Sequence, residues 1–126
     1  MAAKARIFQD LASEAAILSE PNPASVKALG RRVAGYDEAR WLQCREKVMF
    51  DGCYAKFSQN PRLCEQLLAT GDAELVEASP YDRIWGIGLA ESDPRAHDKT
   101  QWRGLNLLGL ALMRVRDRIA SSNQCA

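Results

Sequence analysis

The strongest constraint on the fold is a run of apolar residues near the C-terminus that repeats at helical spacing. Its members step by three, four, three and four positions: Leu105, Leu108, Leu112, Val115 and Ile119. This spacing places all of them on one face of an α-helix. A helix with such a face must pack against other elements. The sequence therefore predicts an unbroken amphipathic helix from Trp102 onward that closes a helical domain.

Two further helices are marked at both ends by residues with defined backbone preferences. Asn22–Pro23 and Asn60–Pro61 each combine an N-capping side chain with a proline suited to the first helical position. Gly35 and Gly71 follow these segments and favour the left-handed turn that ends many helices. The sequence therefore predicts a short second helix and a fourth helix.

The remaining helices are predicted from apolar spacing alone. Ile7, Leu11 and other apolar residues at helical spacing predict one first helix over residues 2–18. Asp37 can cap a third helix, which carries two neighbouring apolar stripes and is expected to be central. Gly52 weakens its middle, so we expect this helix to continue through Phe57 or to kink at the glycine.

One segment departs from the helical pattern. Residues 73–78 are short, with Gly71 before them and Pro80 after them, and they are expected to form a strand. A lone strand leaves backbone groups without partners, and the chain offers no convincing second strand. The predicted fold class is thus α+β and predominantly helical, with about five helices and a small sheet that is incomplete in this chain. An open strand edge also predicts possible self-association.

Size and charge narrow the classes of function. The 126 residues are expected to form one domain over residues 1–120 with a disordered tail at 121–126. A formal charge of +1 is too small to hold a long polyanion, so nucleic acid is an unlikely partner without a local basic patch. The sequence shows no signal peptide and no membrane span, and a cytoplasmic location is the default expectation.

The cysteines give no indication of a metal or redox site. The four are separated by nine, eleven and sixty-one positions, with no CxxC pair. His97 stands in a polar loop without a second histidine or a cysteine at ligand spacing, and we assign it no role. No metal and no cofactor is expected.

The stretch 78–89 is the most informative for function, because turn residues replace helix formers while large aromatic residues remain. Loops of this composition often bind ligands. Asp82 and Trp85 lie three positions apart around a turn and could face one cleft, while Gly86 and Gly88 could let a ligand approach the backbone. The structural alternative is that Asp82 caps a turn and Trp85 fills the core.

Glu77 is a second candidate carboxylate. On a strand it would share a face with Leu75 and would point to an apolar layer or a cleft wall. Partial burial there would raise its pKa, as a general acid or base requires. The alternative is a glutamate at a sheet edge or at a helix cap.

Anion binding has three candidate contributors. Asn106 lies in the predicted first turns of the last helix, where free N–H groups favour phosphate, although Gly104 and Gly109 fit close helix packing equally well. Arg31 and Lys56 are further candidate phosphate contacts. Isolated basic residues of this kind are usually only solvated.

Four linked motifs resemble those of the NADAR (YbiA-like) family. The first has the pattern W…R…VM and is formed by Trp41, Arg45, Val48 and Met49. The other three occupy residues 55–71, 75–88 and 102–116, and they match the family patterns AKF.QN..L..LL.TG, LVEASP.D..WG.G and W.G.N.LG..LM.VR. Their order and spacing cover most of the chain, and together they are far more specific than any single motif.

This resemblance implies a largely helical α+β fold and hydrolysis of an N-glycosidic bond. Members of this type are associated with cleaving phosphorylated aminopyrimidine intermediates of riboflavin biosynthesis, which are reactive and damaging. Other branches are linked to NAD, to ADP-ribose and to removal of ADP-ribose from guanine. The expected partner is therefore a small ribosyl phosphate or an ADP-ribose-like ligand, and the alternative function is a non-catalytic module that binds NAD or ADP-ribose.

The same resemblance assigns roles to individual residues. The expected catalytic carboxylates are Asp82 and Glu77, since one carboxylate can stabilise a ribosyl cation or activate water while another group protonates the leaving base. The expected substrate-binding residues are Trp41, Trp85, Lys4, Arg31, Lys56, Gly86 and Asn106.

The sequence departs from the family at its start. Full-length relatives carry an N-terminal region with strands, and a motif in it supplies a glutamate believed to be catalytic. That motif precedes the stretch that matches residues 1–5, so Lys4 is present in this sequence and the glutamate is not. We therefore expect an N-terminally truncated domain with impaired catalysis, either by nature or because the start is misassigned.

Overall fold

A computed structural model of the protein describes residues 1–122, and it is predominantly helical as predicted. Two short 3-10 helices, Pro94–His97 and Lys99–Gln101, lie between the last two α-helices. The α-helices are α1 (Ala2–Ile7), α2 (Leu11–Ser19), α3 (Pro23–Gly30), α4 (Glu38–Ser58), α5 (Pro61–Ala69) and α6 (Leu107–Ser122). Of the expected tail, residues 123–126 lie outside the described residues. No helix within residues 1–122 is long and apolar enough to cross a membrane.

Contacts divide the chain into two units, Met1–Val48 and Met49–Ala126, each of which we describe by itself. In the first unit, the prediction of one helix over residues 2–18 is wrong. Gln9 adopts a left-handed φ of 57°, and Asp10 then caps α2 by accepting a hydrogen bond from the Ser13 N–H at 3.1 Å. Asp is a favoured N-cap residue, and here its capping of a new helix overrides the continuous apolar spacing.

The first unit has a small apolar core. Its buried members come from α1 and the residue after it, from α2 and from the segment after α3: Ala5, Phe8, Ile17 and Val33. The predicted cap of α3 is confirmed, because the Asn22 side chain accepts a hydrogen bond from the Ala24 N–H at 2.9 Å. The expectation that Gly35 ends this helix is wrong, because α3 ends at Gly30, although Gly35 does adopt a left-handed φ of 72°.

Helix α4 is a continuous helix of 21 residues. Asp37 caps it as predicted, with its Oδ1 accepting from the Ala39 N–H at 3.0 Å. The helix passes through Gly52 without a break in its helical assignment. The glycine therefore does not end the helix, which continues through Phe57 as one of the two expected outcomes.

In the second unit, α5 and α6 pack around buried side chains that include Cys64, Leu67, Val115 and Ile119. The last two belong to the predicted stripe, so the face is confirmed for this part of α6. The predicted start at Trp102 is wrong, because α6 begins at Leu107. Asn106 adopts a left-handed φ of 53°, which the helix cannot continue through, so residues 102–106 form loop instead.

The structure does not confirm the small sheet, since no strand occurs within residues 1–122. Three backbone groups of residues 73–78 are instead bonded to side chains, and others bond to the backbone of neighbouring turns, as the Glu77 carbonyl does by accepting from the Ile87 N–H. Asn106 accepts from the Glu77 N–H at 3.0 Å and donates to the Leu75 carbonyl at 3.0 Å, while Arg116 donates to the Ala73 carbonyl at 2.8 Å. These side chains take the place of a neighbouring strand, which explains how the segment remains ordered without a sheet. Self-association along this segment stays a prediction.

Candidate active site

Asp82 organises the loop of the second unit. Its Oδ1 accepts hydrogen bonds from the N–H groups of Ile84 at 3.0 Å and Trp85 at 2.8 Å. Its carbonyl accepts from the Gly88 N–H at 3.1 Å. The turn-capping alternative is therefore confirmed for Oδ1, whereas Oδ2 has no hydrogen-bond partner within the described part of the chain. The carboxylate is thus held in one orientation with one oxygen still available.

Gly86 is the point at which the two candidate catalytic residues converge. A Cβ at this position would lie 2.9 Å from the carbonyl oxygens of both Glu77 and Asp82. The Ile87 N–H, next along the chain, donates to the Glu77 carbonyl at 3.0 Å. A side chain at Gly86 would thus push apart the backbone segments that carry Glu77 and Asp82. Packing therefore requires glycine at this position, whether or not a ligand approaches the backbone there.

Glu77 lines a cavity of about 580 Å³ in the second unit. Asp82 is not among the residues that line this cavity. The backbones of Glu77 and Asp82 lie close together at Gly86, but their carboxylates do not share the cavity. Acidic residues and one histidine make up most of its polar lining: Glu74, Glu77, Glu91 and His97. Within residues 1–122, no cluster of three or more potential metal-ligating side chains is placed to hold an ion.

His97, to which the sequence analysis assigned no role, lines the same cavity as Glu77. The Asp93 side chain caps the 3-10 helix that ends at His97, accepting from the Arg95 N–H at 2.9 Å. Hydrogen bonds from the Arg95 guanidinium lower the pKa of Asp93 to about 2. The Trp102 indole N–H donates to the Ala96 carbonyl at 2.9 Å. These contacts position His97 in the wall of the cavity. No spacing pattern in the sequence could have indicated these contacts.

Trp85 is half-buried and lies outside the buried apolar cluster of its unit. The structure therefore does not support the alternative in which this side chain fills the core. A partly exposed indole next to Gly86 leaves an aromatic surface available beside the loop. Trp85 remains a predicted contact for the base.

Asn106 is only 2% exposed, and its amide oxygen and nitrogen both bond to the backbone of residues 75–77. The two neighbouring glycines are close-packing positions. A Cβ at Gly109 would lie 2.1 Å from the Leu75 carbonyl, and one at Gly104 would lie 2.2 Å from the Gly86 carbonyl. Of the two alternatives for this stretch, the geometry favours packing over phosphate binding. It makes Asn106 a residue that positions Glu77.

Lys56 is exposed near the end of α4, and its ammonium lies 5.6 Å from the centroid of the adjacent Phe57 ring. No described contact joins it to the loop of Glu77 and Asp82. Its role in phosphate binding stays a prediction.

In the first unit the structure brings Lys4 and Trp41 together. The Lys4 ammonium donates to the Gly30 carbonyl at 2.8 Å and lies 5.8 Å from the Trp41 ring centroid. It lies closer still, at 4.8 Å, to the ring of Tyr36, which the sequence analysis did not single out. Arg31 follows Gly30 directly and is exposed. The unit thus holds a cation between two aromatic rings.

Comparison with known proteins adds independent findings. The family model described as the NADAR domain matches residues 1–120. The chain is 40% identical to an N-glycosidase of Acanthamoeba polyphaga mimivirus over 117 residues, which cover 93% of this chain and 69% of that protein. It is 34% identical to the N-glycosidase YbiA of Escherichia coli over 99 residues, 79% of this chain and 55% of the relative.

A riboflavin biosynthesis protein of Vibrio vulnificus is 34% identical over 116 residues, which cover 92% of this chain and 29% of that protein. The chain therefore matches one segment of longer proteins, between about a third and two thirds of their length in these three cases.

Proposed function

The chain belongs to the NADAR domain family, and we propose that it is an N-glycosidase domain for phosphorylated aminopyrimidine ribosides of riboflavin biosynthesis. Two of the relatives named above are N-glycosidases, and a third is a riboflavin biosynthesis protein. These names support the reaction class and the substrate class respectively. A small-molecule substrate follows from the same reaction class.

The reaction breaks the bond between the ribose C1′ and the nitrogen of the base. The electron pair of this bond leaves with the nitrogen, which takes up a proton. The oxygen of a water molecule bonds to C1′ and loses a proton, so the products are the free aminopyrimidine and ribose 5-phosphate. Positive charge develops on the sugar in the transition state, and a fixed carboxylate near C1′ stabilises it.

Asp82 is suited to that electrostatic role. Two backbone N–H groups hold its Oδ1, while Oδ2 has no hydrogen-bond partner among residues 1–122. A group that is already fixed needs no reorganisation when charge develops, and this makes its stabilising effect larger. The bonds from Ile84 and Trp85 are the single observation that carries the assignment of Asp82.

Glu77 is assigned the proton-transfer role. It lines a cavity together with His97, and either group could exchange a proton with the leaving base or with water. The family resemblance assigns flat surfaces for the base to Trp85 and to Trp41, and phosphate contacts to Lys4, Arg31 and Lys56. These assignments extend the family resemblance to the positions that the structure describes.

We also propose that residues 1–126 by themselves are impaired. The resemblance assigns a further catalytic glutamate to a motif that precedes the stretch matching residues 1–5. Loss of a group that stabilises the transition state commonly costs several kcal/mol. Turnover by these residues alone should therefore be slow.

The experiment follows release of the free base and of ribose 5-phosphate from an aminopyrimidine ribosyl phosphate. It compares residues 1–126 with a version extended by the upstream segment of a full-length relative, and ADP-ribose serves as the competing substrate. We expect the extended protein to release both products at a higher rate than residues 1–126. Binding of ADP-ribose without cleavage of any riboside by either protein would instead support the non-catalytic alternative.

A further inference from the structure

Arg45 carries a polar atom that the first unit leaves unused. Its Nε is buried and has no hydrogen-bond partner within residues 1–122. A buried donor without an acceptor is destabilising, and the cost is larger for a charged group than for a neutral one. Such a group calls for an explanation, and an acceptor that arrives from outside the chain is one.

Arg45 lies beside the aromatic residues that surround Lys4. It follows Trp41 by four positions on α4, so the two side chains share one face of the helix. It is also close enough to Tyr36 for its charge to act on the hydroxyl of that residue. The hydrogen bond to Glu38 raises the pKa of Tyr36, and the charge of Arg45 acts against that rise. Tyr36 and Trp41 therefore neighbour both cations.

Five of the six carboxylates in residues 1–48, all but Glu46, have described partners other than Arg45 and Lys4. Glu38 accepts a hydrogen bond from the Tyr36 hydroxyl, Asp37 caps α4, and Glu14 forms an ion pair with Arg6. Asp10 caps α2, and Glu20 accepts from the Asn22 N–H. None of these described contacts neutralises Arg45 or Lys4, so the two cations retain their attraction for an anion.

We propose that Arg45 and Lys4, flanked by Tyr36 and Trp41, form a subsite for a phosphate monoester within the first unit. The proposal rests on the proposed function for the choice of a phosphate ligand. A guanidinium presents several N–H groups in a planar fork that matches phosphate oxygens, whereas the ammonium of Lys4 acts as a point charge. The free Nε of Arg45 supplies one of these donors.

The test measures binding by titration calorimetry, with ribose 5-phosphate and ribose as probes. The variants are Arg45→Gln, which removes the charge, and Arg45→Lys, which keeps the charge and removes the fork. The matched control is Arg32→Gln, which removes an exposed arginine of the same unit. Thermal melting of each variant reports whether the fold is retained.

We expect the parent protein to bind ribose 5-phosphate more tightly than ribose. Arg45→Gln should weaken binding of ribose 5-phosphate by about tenfold to a hundredfold and leave ribose unchanged, since a charge-assisted hydrogen bond is lost. The affinity of Arg45→Lys for ribose 5-phosphate should lie between those of the parent and of Arg45→Gln. The affinity of Arg32→Gln should match that of the parent. If Arg45→Gln fails to fold, a loss of about tenfold in Arg45→Lys is the supporting result.

Equal affinity of the parent for both probes would overturn the proposal. So would unchanged affinity in a folded Arg45 variant, or an equal loss in Arg32→Gln. The assay requires no turnover, so its outcome is separable from that of the hydrolysis experiment. A protein that binds phosphate through Arg45 but cleaves no riboside contradicts the proposed function and leaves the subsite standing.

Discussion

Replacing Asn106 by alanine tests the inference that one side chain substitutes for a missing strand. The amide of Asn106 satisfies the Glu77 N–H and the Leu75 carbonyl, both at 3.0 Å. Its backbone φ of 53° lies in the left-handed region, which asparagine tolerates better than alanine. The substitution therefore removes two hydrogen bonds and introduces backbone strain at the same residue.

The expected loss of unfolding free energy is about 3 kcal/mol. Each backbone group left without a partner costs about 1 kcal/mol, the lower end of the range, because these bonds are only partly buried. The left-handed conformation costs alanine about 1 kcal/mol more. Asn106→Gly loses the same bonds without the strain, so it should be about 1 kcal/mol more stable than Asn106→Ala.

The assay is urea unfolding followed by circular dichroism, with hydrogen exchange read at the Glu77 amide. Asn106→Ala should lower the urea concentration at the unfolding midpoint without changing the dependence of the unfolding free energy on urea. The Glu77 amide should lose protection from hydrogen exchange in both variants. A loss below about 1 kcal/mol, or a Glu77 amide that remains protected, would refute the account of how residues 73–78 are held. Equal stability of the alanine and glycine variants would refute the assignment of strain.

Two further predictions concern stability. Gly52→Ala should raise the free energy of unfolding by about 0.5–1 kcal/mol in the same urea assay, because the position is inside α4 and no atom lies within 4 Å of the added Cβ. Gly109→Ala should lower the free energy of unfolding, because its added Cβ would collide with the Leu75 carbonyl. The pKa of Asp93 is lowered to about 2, so its contribution to stability should be present above pH of about 4 and should be lost as the pH falls through about 2. Acid unfolding of the parent and of Asp93→Asn checks this prediction. The variant should lack the loss of stability that Asp93 causes in the parent as the pH falls from about 4 to about 2.

Most helices could be predicted because their signals are local. Asn22 caps α3 as its sequence predicts, and Val115 and Ile119 occupy the buried face of α6 as their spacing predicts. The errors at helix starts are also local in origin, because the backbone conformation of a single residue can override a periodic apolar pattern. Gln9 divides the first predicted helix, and Asn106 delays the last one.

The candidate site was only partly predictable, because its geometry depends on long-range contacts. The strand prediction rested on the need of residues 73–78 for a second strand. Three of their backbone groups are instead bonded by Asn106 and Arg116, which lie 29 to 43 positions away along the chain. His97 reaches the cavity of Glu77 through the folding of the intervening loop. The unpartnered Nε of Arg45 likewise follows from burial, which spacing does not determine.

The central claim is that the turn built on Asp82 carries out catalysis. The most direct measurement is the initial rate of base release by the extended protein in three forms: unchanged, with Asp82→Asn, and with Asp72→Asn as an exposed control. We predict a loss of about a hundredfold or more for Asp82→Asn, as for other fixed groups that stabilise developing charge, and no loss for Asp72→Asn. An unchanged rate in Asp82→Asn would contradict the claim. Rapid turnover by residues 1–126 alone, abolished by Glu77→Gln, would also contradict it and would assign the principal catalytic role to Glu77.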